Sequence, residues 1–489
     1  MHQQLEFADH IRRMISPNIG KTQKSKFGQY MTPAGIARFM ASMFPCSNLS
    51  SCRLLDAGAG IGSLSCAFLD RWEERKFCFQ NVEVTAYEID RNLQNHLRQH
   101  LSSYPHVHAH IVEGDYIIQS INNPRGKDGY THVILNPPYK KINVRSEHRL
   151  TLRKVGIETV NLYSAFVALA ILETVPQGQI VAIVPRSFCN GPYYRPFREL
   201  ILQKTAIRHI HLFESRRKAF KDDDVLQENI IIRLERDGKQ GPVTISTSTD
   251  GTFKDLFSSE QPFDRIVFPE DLEQFIHIPT SDNITDIERS PLINCSLENL
   301  GIKVSTGPVV DFRMKEFLCD MPGTDTVPLL YPLHFRNSSV TWPHPGGKKP
   351  NAIRRNAATE KWLYPNGFYC IVKRFSSKEE KRRISAHIVT PDAFPNTSSL
   401  GFENHLNLFH RNKQGLPREM AYGLYVFLNS TDVDEYFRRF NGHTQVNATD
   451  LRKLKYPNHE ILLELGRWAI SQREFSQMAI DRKIKELII

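Results

Sequence analysis

Short runs of β-branched and aliphatic residues alternate with stretches of helical periodicity through the first half of the chain. Arg53-Leu54-Leu55-Asp56, Glu83 to Glu88, His108 to Val112, His132 to Asn136 and Gln179 to Val184 each have the length and composition of a strand. Between them, Ser63 to Trp72, Arg91 to Ser103 and Asn161 to Thr174 carry helical spacing. Strands alternating with helices of about 10–15 residues predict parallel βαβ units, and hence an α/β fold with a doubly wound sheet. The alternation runs to about Leu234 and fades there.

Charge marks where the pattern changes. The 489 residues carry 63 Lys and Arg against 53 Asp and Glu, a formal net charge of +10. The surplus is unevenly spread: residues 251–330 hold six basic and fourteen acidic side chains, residues 331–420 fifteen basic and six acidic. Pro262, Pro269, Pro279 and Pro291 break up the acidic stretch. These shifts predict a first domain over 1–250, an acidic junction over 251–298, a second domain over 299–457 and a closing helix over 458–489.

Several classes are excluded at this stage. With 40% hydrophobic and 24% charged residues, the composition is that of a globular chain. The N-terminus lacks the charged and apolar regions of a secretory signal, and the longest apolar stretch, around Leu162 to Val175, includes Ser164, Glu173 and Thr174. A membrane protein is therefore not expected, and a cytoplasmic location is. The eight cysteines form no Cys-x-x-C pair, so neither a disulfide framework nor a metal site is expected.

Asp56-Ala57-Gly58-Ala59-Gly60-Ile61-Gly62 lies between a strand and a helix. Glycines there allow a sharp turn that brings a ligand to the helix N-terminus, as any nucleotide loop would. Asp56 favours a ligand bearing an amino group over a pyrophosphate. Glu88, ending the second strand, is placed to accept from ribose hydroxyls or to cap the next helix. Asp115 and Tyr116, after the third strand, suit an adenine amine and ring face; a turn with a capping Asp is the alternative.

Asn136-Pro137-Pro138-Tyr139 ends the fourth strand and is the most informative tetrapeptide. Two prolines enforce an extended backbone, so the Asn136 amide oxygen and the Pro137 carbonyl can address one atom. Two acceptors are what an exocyclic amine with two N–H bonds requires. Tyr139 offers a flat face on which a ring can stack.

The succession of Asp56-Ala57-Gly58-Ala59-Gly60, Glu88, Asp115 and Asn136-Pro137-Pro138-Tyr139 resembles the S-adenosylmethionine-dependent amino-methyltransferases. Lys26-Phe27-Gly28-Gln29-Tyr30-Met31-Thr32-Pro33, preceding the Gly-rich loop, is similar to the N-terminal cofactor motif of the gamma-class DNA adenine-N6 methyltransferases of restriction–modification systems. Asn161 to Phe166, Val184 to Phe188 and Gly442 to Leu451 resemble later segments of these enzymes. The likeness covers most of the chain and is most specific over residues 26–190. It implies a Rossmann-like methyltransferase domain with a C-terminal α+β target-recognition domain and S-adenosyl-L-methionine as cofactor. Tyr30, Thr32, Asp56, Gly58, Gly60, Glu88, Asp115 and Tyr116 would then bind the cofactor. Asn136, Pro137, Pro138 and Tyr139 would hold an extruded adenine, with Phe220 on its other face and Phe213 competing for that role.

Other chemistries compete. Cytosine-C5 methylation needs a Pro-Cys nucleophile after the Gly-rich loop, and the only Pro-Cys, Pro45-Cys46, precedes it. Cytosine-N4 transfer uses a similar acceptor turn, usually with Ser where this chain has Asn136, and glutamine-N5 protein methyltransferases also carry Asn-Pro-Pro-Tyr. The expected partner is double-stranded DNA, with a cognate restriction endonuclease as functional partner. Phosphate contacts are expected from three basic clusters. The first is Lys140, Lys141, Arg145, Arg149, Arg153 and Lys154; the second Arg216, Arg217, Lys218 and Lys221. The third is Lys373, Arg374, Lys378, Lys381, Arg382 and Arg383, where nearby Asn351, Arg354, Arg355 and Asn356 would read bases.

Overall fold

The computed structural model describes residues 3–16, 31–214, 228–280, 286–336, 339–376, 380–441, 445–472 and 476–488. It divides into two compact units, Met1–Asp282 and Asn283–Ile489.

In the first unit a nine-stranded sheet is built from β1 (Ser51–Ala57), β2 (Asn81–Glu88), β3 (Val107–Glu113), β4 (Tyr130–Leu135), β5 (Thr174–Pro185), β6 (Thr205–Phe213), β7 (Asn229–Arg236), β8 (Val243–Ser248) and β9 (Phe257–Gln261). Its order is β3-β2-β1-β4-β5-β7-β6-β8-β9. The first five strands in that order are parallel, with Leu55 opposite Thr85 on one side and Val133 on the other. The helices are α1 (Gln3–Ile15), α2 (Ala34–Ser42), α3 (Ser63–Glu73), α4 (Arg91–Ser102), α5 (Tyr116–Asn122), α6 (Glu147–Lys154), α7 (Leu162–Glu173) and α8 (Arg195–Lys204).

Successive strand residues point to opposite faces, and the core divides accordingly. Leu54, Ile134, Val181 and Ile183 pack on one side with Ala37 and Met40 of α2, Phe68 of α3 and Leu97 of α4. Leu55, Val133, Leu135, Ile180 and Ala182 pack on the other with Ile117 of α5, Phe166 of α7 and Phe197 of α8. Helices cover both faces, so the central strands are continuously apolar, as parallel sheets require. The apolar stretch around Leu162 belongs to α7, whose residues from Tyr163 to Ile171 are all buried. Among the described residues no helix is long and apolar enough to cross a membrane.

At one end the doubly wound sheet is mixed rather than parallel. β7 runs antiparallel to both β5 and β6, and β9 antiparallel to β8. Hydrophobic runs such as Ile230-Ile231-Ile232 report burial on both faces, but direction is set by the connection, which composition does not encode. The sheet also continues past Leu234, where the sequence pattern fades, and β9 lies inside the stretch read as an acidic junction.

The second unit contains a four-stranded sheet, Lys303–Thr306, Leu406–His410, Tyr369–Lys373 and Ala386–Val389 in spatial order. A five-stranded sheet joins Leu318–Cys319, Ala352–Arg354, Thr326–Leu330, Ser399–Phe402 and Leu363–Pro365. Helices Arg418–Leu428 and His459–Ser471 cross at two glycines. A Cβ on Gly423 would stand 1.9 Å from the Leu462 carbonyl oxygen, and one on Gly466 1.8 Å from that of Glu419. The single closing helix expected after residue 458 is instead two, His459–Ser471 and Gln477–Ile488, because Gln472 adopts an extended backbone.

Candidate active site

A cavity of about 410 Å³ opens at the carboxyl ends of β1 to β4. Strand order reverses between β1 and β4, and the crevice at such a switch point is where doubly wound sheets bind ligands. Its volume falls in the range of small-molecule sites.

The Gly-rich loop forms one wall. Gly58, Gly60 and Gly62 have φ of 79°, 58° and 91°, the left-handed region that glycine enters without steric cost. The Gly58 and Ala59 amides both donate to the Tyr87 carbonyl, at 3.0 and 2.8 Å, which ties the loop to the end of β2. Glu88 follows. Its Oε2 accepts from the Gly60 amide and its Oε1 from the Asp90 amide, each at 2.7 Å. Burial pushes its carboxyl above the usual range. Capping of α4 falls to Asp90, which accepts from the Asn92 amide at 3.0 Å, and this leaves Glu88 to line the cavity.

Asp115 caps a helix, the alternative that its position offered, and also reaches the cavity. Its Oδ1 caps α5 by accepting from the Ile118 amide at 3.1 Å, and the same side chain lines the cavity. Its Oδ2 accepts from His148 Nε2 at 2.8 Å. Tyr116 is buried, donates to Glu173 Oε2 at 2.6 Å and stands edge-on to Tyr87, with ring centroids 4.9 Å apart.

Asp56 is the exception. It is fully buried and does not line the cavity; its Oδ2 accepts from the amide and hydroxyl of Ser65 in α3. Burial pushes its pKa up to about 7, and its Oδ1 has no hydrogen-bond partner among the described residues. The expected direct contact with an amino group is therefore replaced by support of the loop from beneath. Strand alternation explains this, because Asp56 points to the α3 side.

Asn136 stands one residue beyond β4 and lines the same cavity. Its Nδ2 donates to Thr32 Oγ1 at 3.0 Å, and its Oδ1 accepts from the Tyr139 hydroxyl at 3.1 Å. The carboxamide is thus oriented from both ends, and Thr32, expected only to bind cofactor, is also its anchor. Tyr139 is half-buried with its ring edge-on to Tyr163 at 6.3 Å, and its hydroxyl also reaches the Ile183 carbonyl at 3.3 Å. Pro138 lines the cavity, whereas Pro137 and Tyr139 do not. Tyr30 and Phe220 lie outside the described residues. Phe213, the competing aromatic, is buried in the core against His211 and Phe253.

Comparison with known proteins decides the family. The model of the Eco57I restriction-modification methylases matches residues 51–220. The type II methyltransferase M.BsuBI of Bacillus subtilis is 52% identical over 100% of this chain and 99% of its own. M.PstI of Providencia stuartii, also a type II methyltransferase, is 42% identical over 98% of this chain and 96% of its own. The chain belongs to the type II methyltransferases of restriction–modification systems. The type IIL restriction-modification enzyme MmeI, solved in complex with DNA, shares the fold with a TM-score of 0.54 and 11% identity; the match covers 99% of this chain and 73% of that one.

Membership of this methyltransferase family implies S-adenosylmethionine as cofactor, and the cavity suits it. Glu88 and Asp115 offer carboxylate acceptors beyond two adjacent strands, of the kind that hydroxyl and amine donors of such a cofactor would require, and Tyr87, Tyr116, Leu93 and Phe166 supply apolar walls. Sequence reading did not assign Tyr87, Leu93 or His148. Tyr87 precedes Glu88 and Leu93 follows it in α4, so proximity to the motif carries some signal; His148 has none.

The basic clusters change most. In the methyltransferase Lys140 and Lys141 line the cavity, while Arg149 and Arg153 both pair with Glu158, at 2.7 and 2.6 Å. The second cluster and Lys378 lie outside the described residues. Arg383 is 1% exposed and donates to Asn441 Oδ1 at 2.7 Å, and Arg382 donates to Gln477 and to the Ser430 carbonyl, both at 2.6 Å. Asn351, expected to read a base, is buried and bonds the Asp320 and His344 carbonyls. These side chains hold the second unit together.

Proposed function

We propose that this methyltransferase transfers the methyl group to the N6 amino group of an adenine extruded from double-stranded DNA. The observation that carries this reading is Asn136, whose carboxamide is held by Thr32 and Tyr139 at the edge of the same cavity as Glu88 and Asp115. An exocyclic amine is a poor nucleophile because its lone pair is delocalised into the ring. The Asn136 amide oxygen and the Pro137 carbonyl would take its two hydrogens, drawing the nitrogen towards tetrahedral geometry and localising the lone pair. The Tyr139 hydroxyl now bonds the oxygen that this step requires, so the arriving amine would displace or share that bond while the Tyr139 ring turns to stack on the base. S-adenosylmethionine supplies an electrophilic methyl group. Asn136, where cytosine-N4 enzymes usually carry Ser, favours adenine.

Residues 1–250 would then act as the catalytic domain, and residues 299–457 as the target-recognition domain. Extruding a base costs a few kcal/mol, offset by contacts to the duplex. The enzyme would act in the cytoplasm and protect host DNA from a cognate restriction endonuclease. Incubating the protein and S-adenosylmethionine with unmethylated genomic DNA, then sequencing for modified bases, tests the reading. N6-methyladenine confined to one short motif is expected. N4-methylcytosine, or unmodified DNA with methylated protein, would overturn it.

A further inference from the structure

We infer that His148 is a positioning residue of the cofactor pocket, holding the Asp115 carboxylate in the orientation that accepts the amine of the cofactor's adenine. The inference rests on the assignment of this cavity to S-adenosylmethionine. His148 and Asp115 come from different elements, the first turn of α6 and the cap of α5, yet both line the cavity and meet at 2.8 Å.

The cap bond to Ile118 fixes only Oδ1 of Asp115, and a carboxylate held at one oxygen can still rotate. His148 Nε2 fixes the other. A carboxylate has about four acceptor positions, so the Ile118, Ile117 and His148 donors still leave capacity for an incoming amine in a defined direction. Both side chains are partly exposed, at 31% and 26%, and the bond to Asp115 orients an imidazole whose outer part is open to solvent.

The surrounding charges reinforce the pair. Among the described residues, the charged groups that act on His148 include Asp115 across the contact, Glu147 on its own helix and Lys140 from the segment after the acceptor turn. The Asp115 hydrogen bond is the main influence, and with the two acids it raises the imidazole's pKa against the opposing effects of burial and Lys140. Burial alone would push the Asp115 carboxyl up; the bond and charge of His148, together with the Ile118 and Ile117 amides, overcome it and hold the carboxyl below its usual range. The pair is therefore ionised above the lowered Asp115 pKa and below the raised His148 pKa. As pH climbs through the His148 value the bond loses its charge assistance, roughly halving its strength, and cofactor affinity should fall.

Calorimetric titration of the full-length protein tests this with two ligands, S-adenosylhomocysteine and S-inosylhomocysteine, which carries a carbonyl oxygen in place of the amine. Wild type should prefer the adenosyl compound. His148→Ala should weaken adenosyl binding about tenfold and leave inosyl binding nearly unchanged. His148→Gln, which keeps a neutral donor, should be intermediate and should lack the wild type's additional loss of affinity as pH rises above the ordinary histidine range. Equal weakening of both ligands in the Ala variant would show general damage to the pocket and overturn the inference. So would unchanged adenosyl binding, or a pH profile identical in wild type and His148→Gln. If wild type binds neither ligand, the cofactor assignment itself fails, and the inference with it.

Discussion

Glu88 and Asp115 in the first unit and Arg382 and Arg383 in the second are all charged side chains that the sequence suggested for ligand contact. The structure treats the two sets differently. Glu88 ends β2 and Asp115 follows β3 by two residues, and strand ends in a doubly wound sheet face a common crevice, so their place in the chain fixed their place in space. The two arginines belong to a charge run without such an anchor. Arg383 is buried, hydrogen-bonded to Asn441 and Ser376, while Arg382 bridges to Ser430 and Gln477. A charge run becomes a surface only if the backbone beneath it is at the surface. A residue at a strand end inherits its position from the sheet.

The largest expected effect lies at the acceptor turn. Asn136→Ala should lower turnover at least about 10³-fold, in line with the loss of a preorganised polar group that acts in the transition state. S-adenosylmethionine binding, measured by calorimetry, should change little, and wild-type turnover would remove Asn136 from the chemistry. Arg383→Met tests the opposite side of the comparison. It removes the buried guanidinium's hydrogen bonds to Asn441 Oδ1 and Ser376 and should cost about 3 kcal/mol of stability. Urea unfolding followed by tryptophan fluorescence suits the measurement, because Trp342, Trp362 and Trp468 lie in the second unit and only Trp72 in the first. Loss of DNA affinity with unchanged stability would return Arg383 to the binding surface. Glu88→Ala should weaken S-adenosylmethionine binding about 30-fold, corresponding to about 2 kcal/mol of charged hydrogen bonding; unaltered affinity would restrict Glu88 to supporting the Gly60 and Asp90 amides.

The legible part of the molecule follows the same division. Strands β1 to β4 and the motif residues at their ends could be read because periodicity and glycine punctuation are local signals. The antiparallel β7 could not, since direction depends on the path between strands. Asp56 was placed at the correct strand end but on the wrong face, a distinction of one residue in a two-residue period. His148 carried no signal because it joins Asp115 from 33 residues away, through packing of α6 on α5. Asn351 and Arg383 misled because buried polar networks use the same side chains that read DNA, and only burial tells them apart.

The smallest effect separates two adjacent arginines of the second unit. Arg355 donates to both carboxylate oxygens of Glu360, at 3.0 and 3.1 Å, and to the Ser398 hydroxyl at 2.7 Å. Arg354 is exposed and has no ion-pair partner among the described residues. If this face meets phosphate, Arg354 is the side chain available for it, and Arg354→Ala should lower the slope of log affinity against log salt by about 1 while weakening binding alike across sequences. Arg355→Ala should leave that slope unchanged and alter stability little, as exposed ion pairs do. Salt titrations of duplex binding for both variants check the difference. A shallower slope for Arg355→Ala alone would mean that DNA breaks the Glu360 pair, and that even a satisfied surface arginine can be recruited.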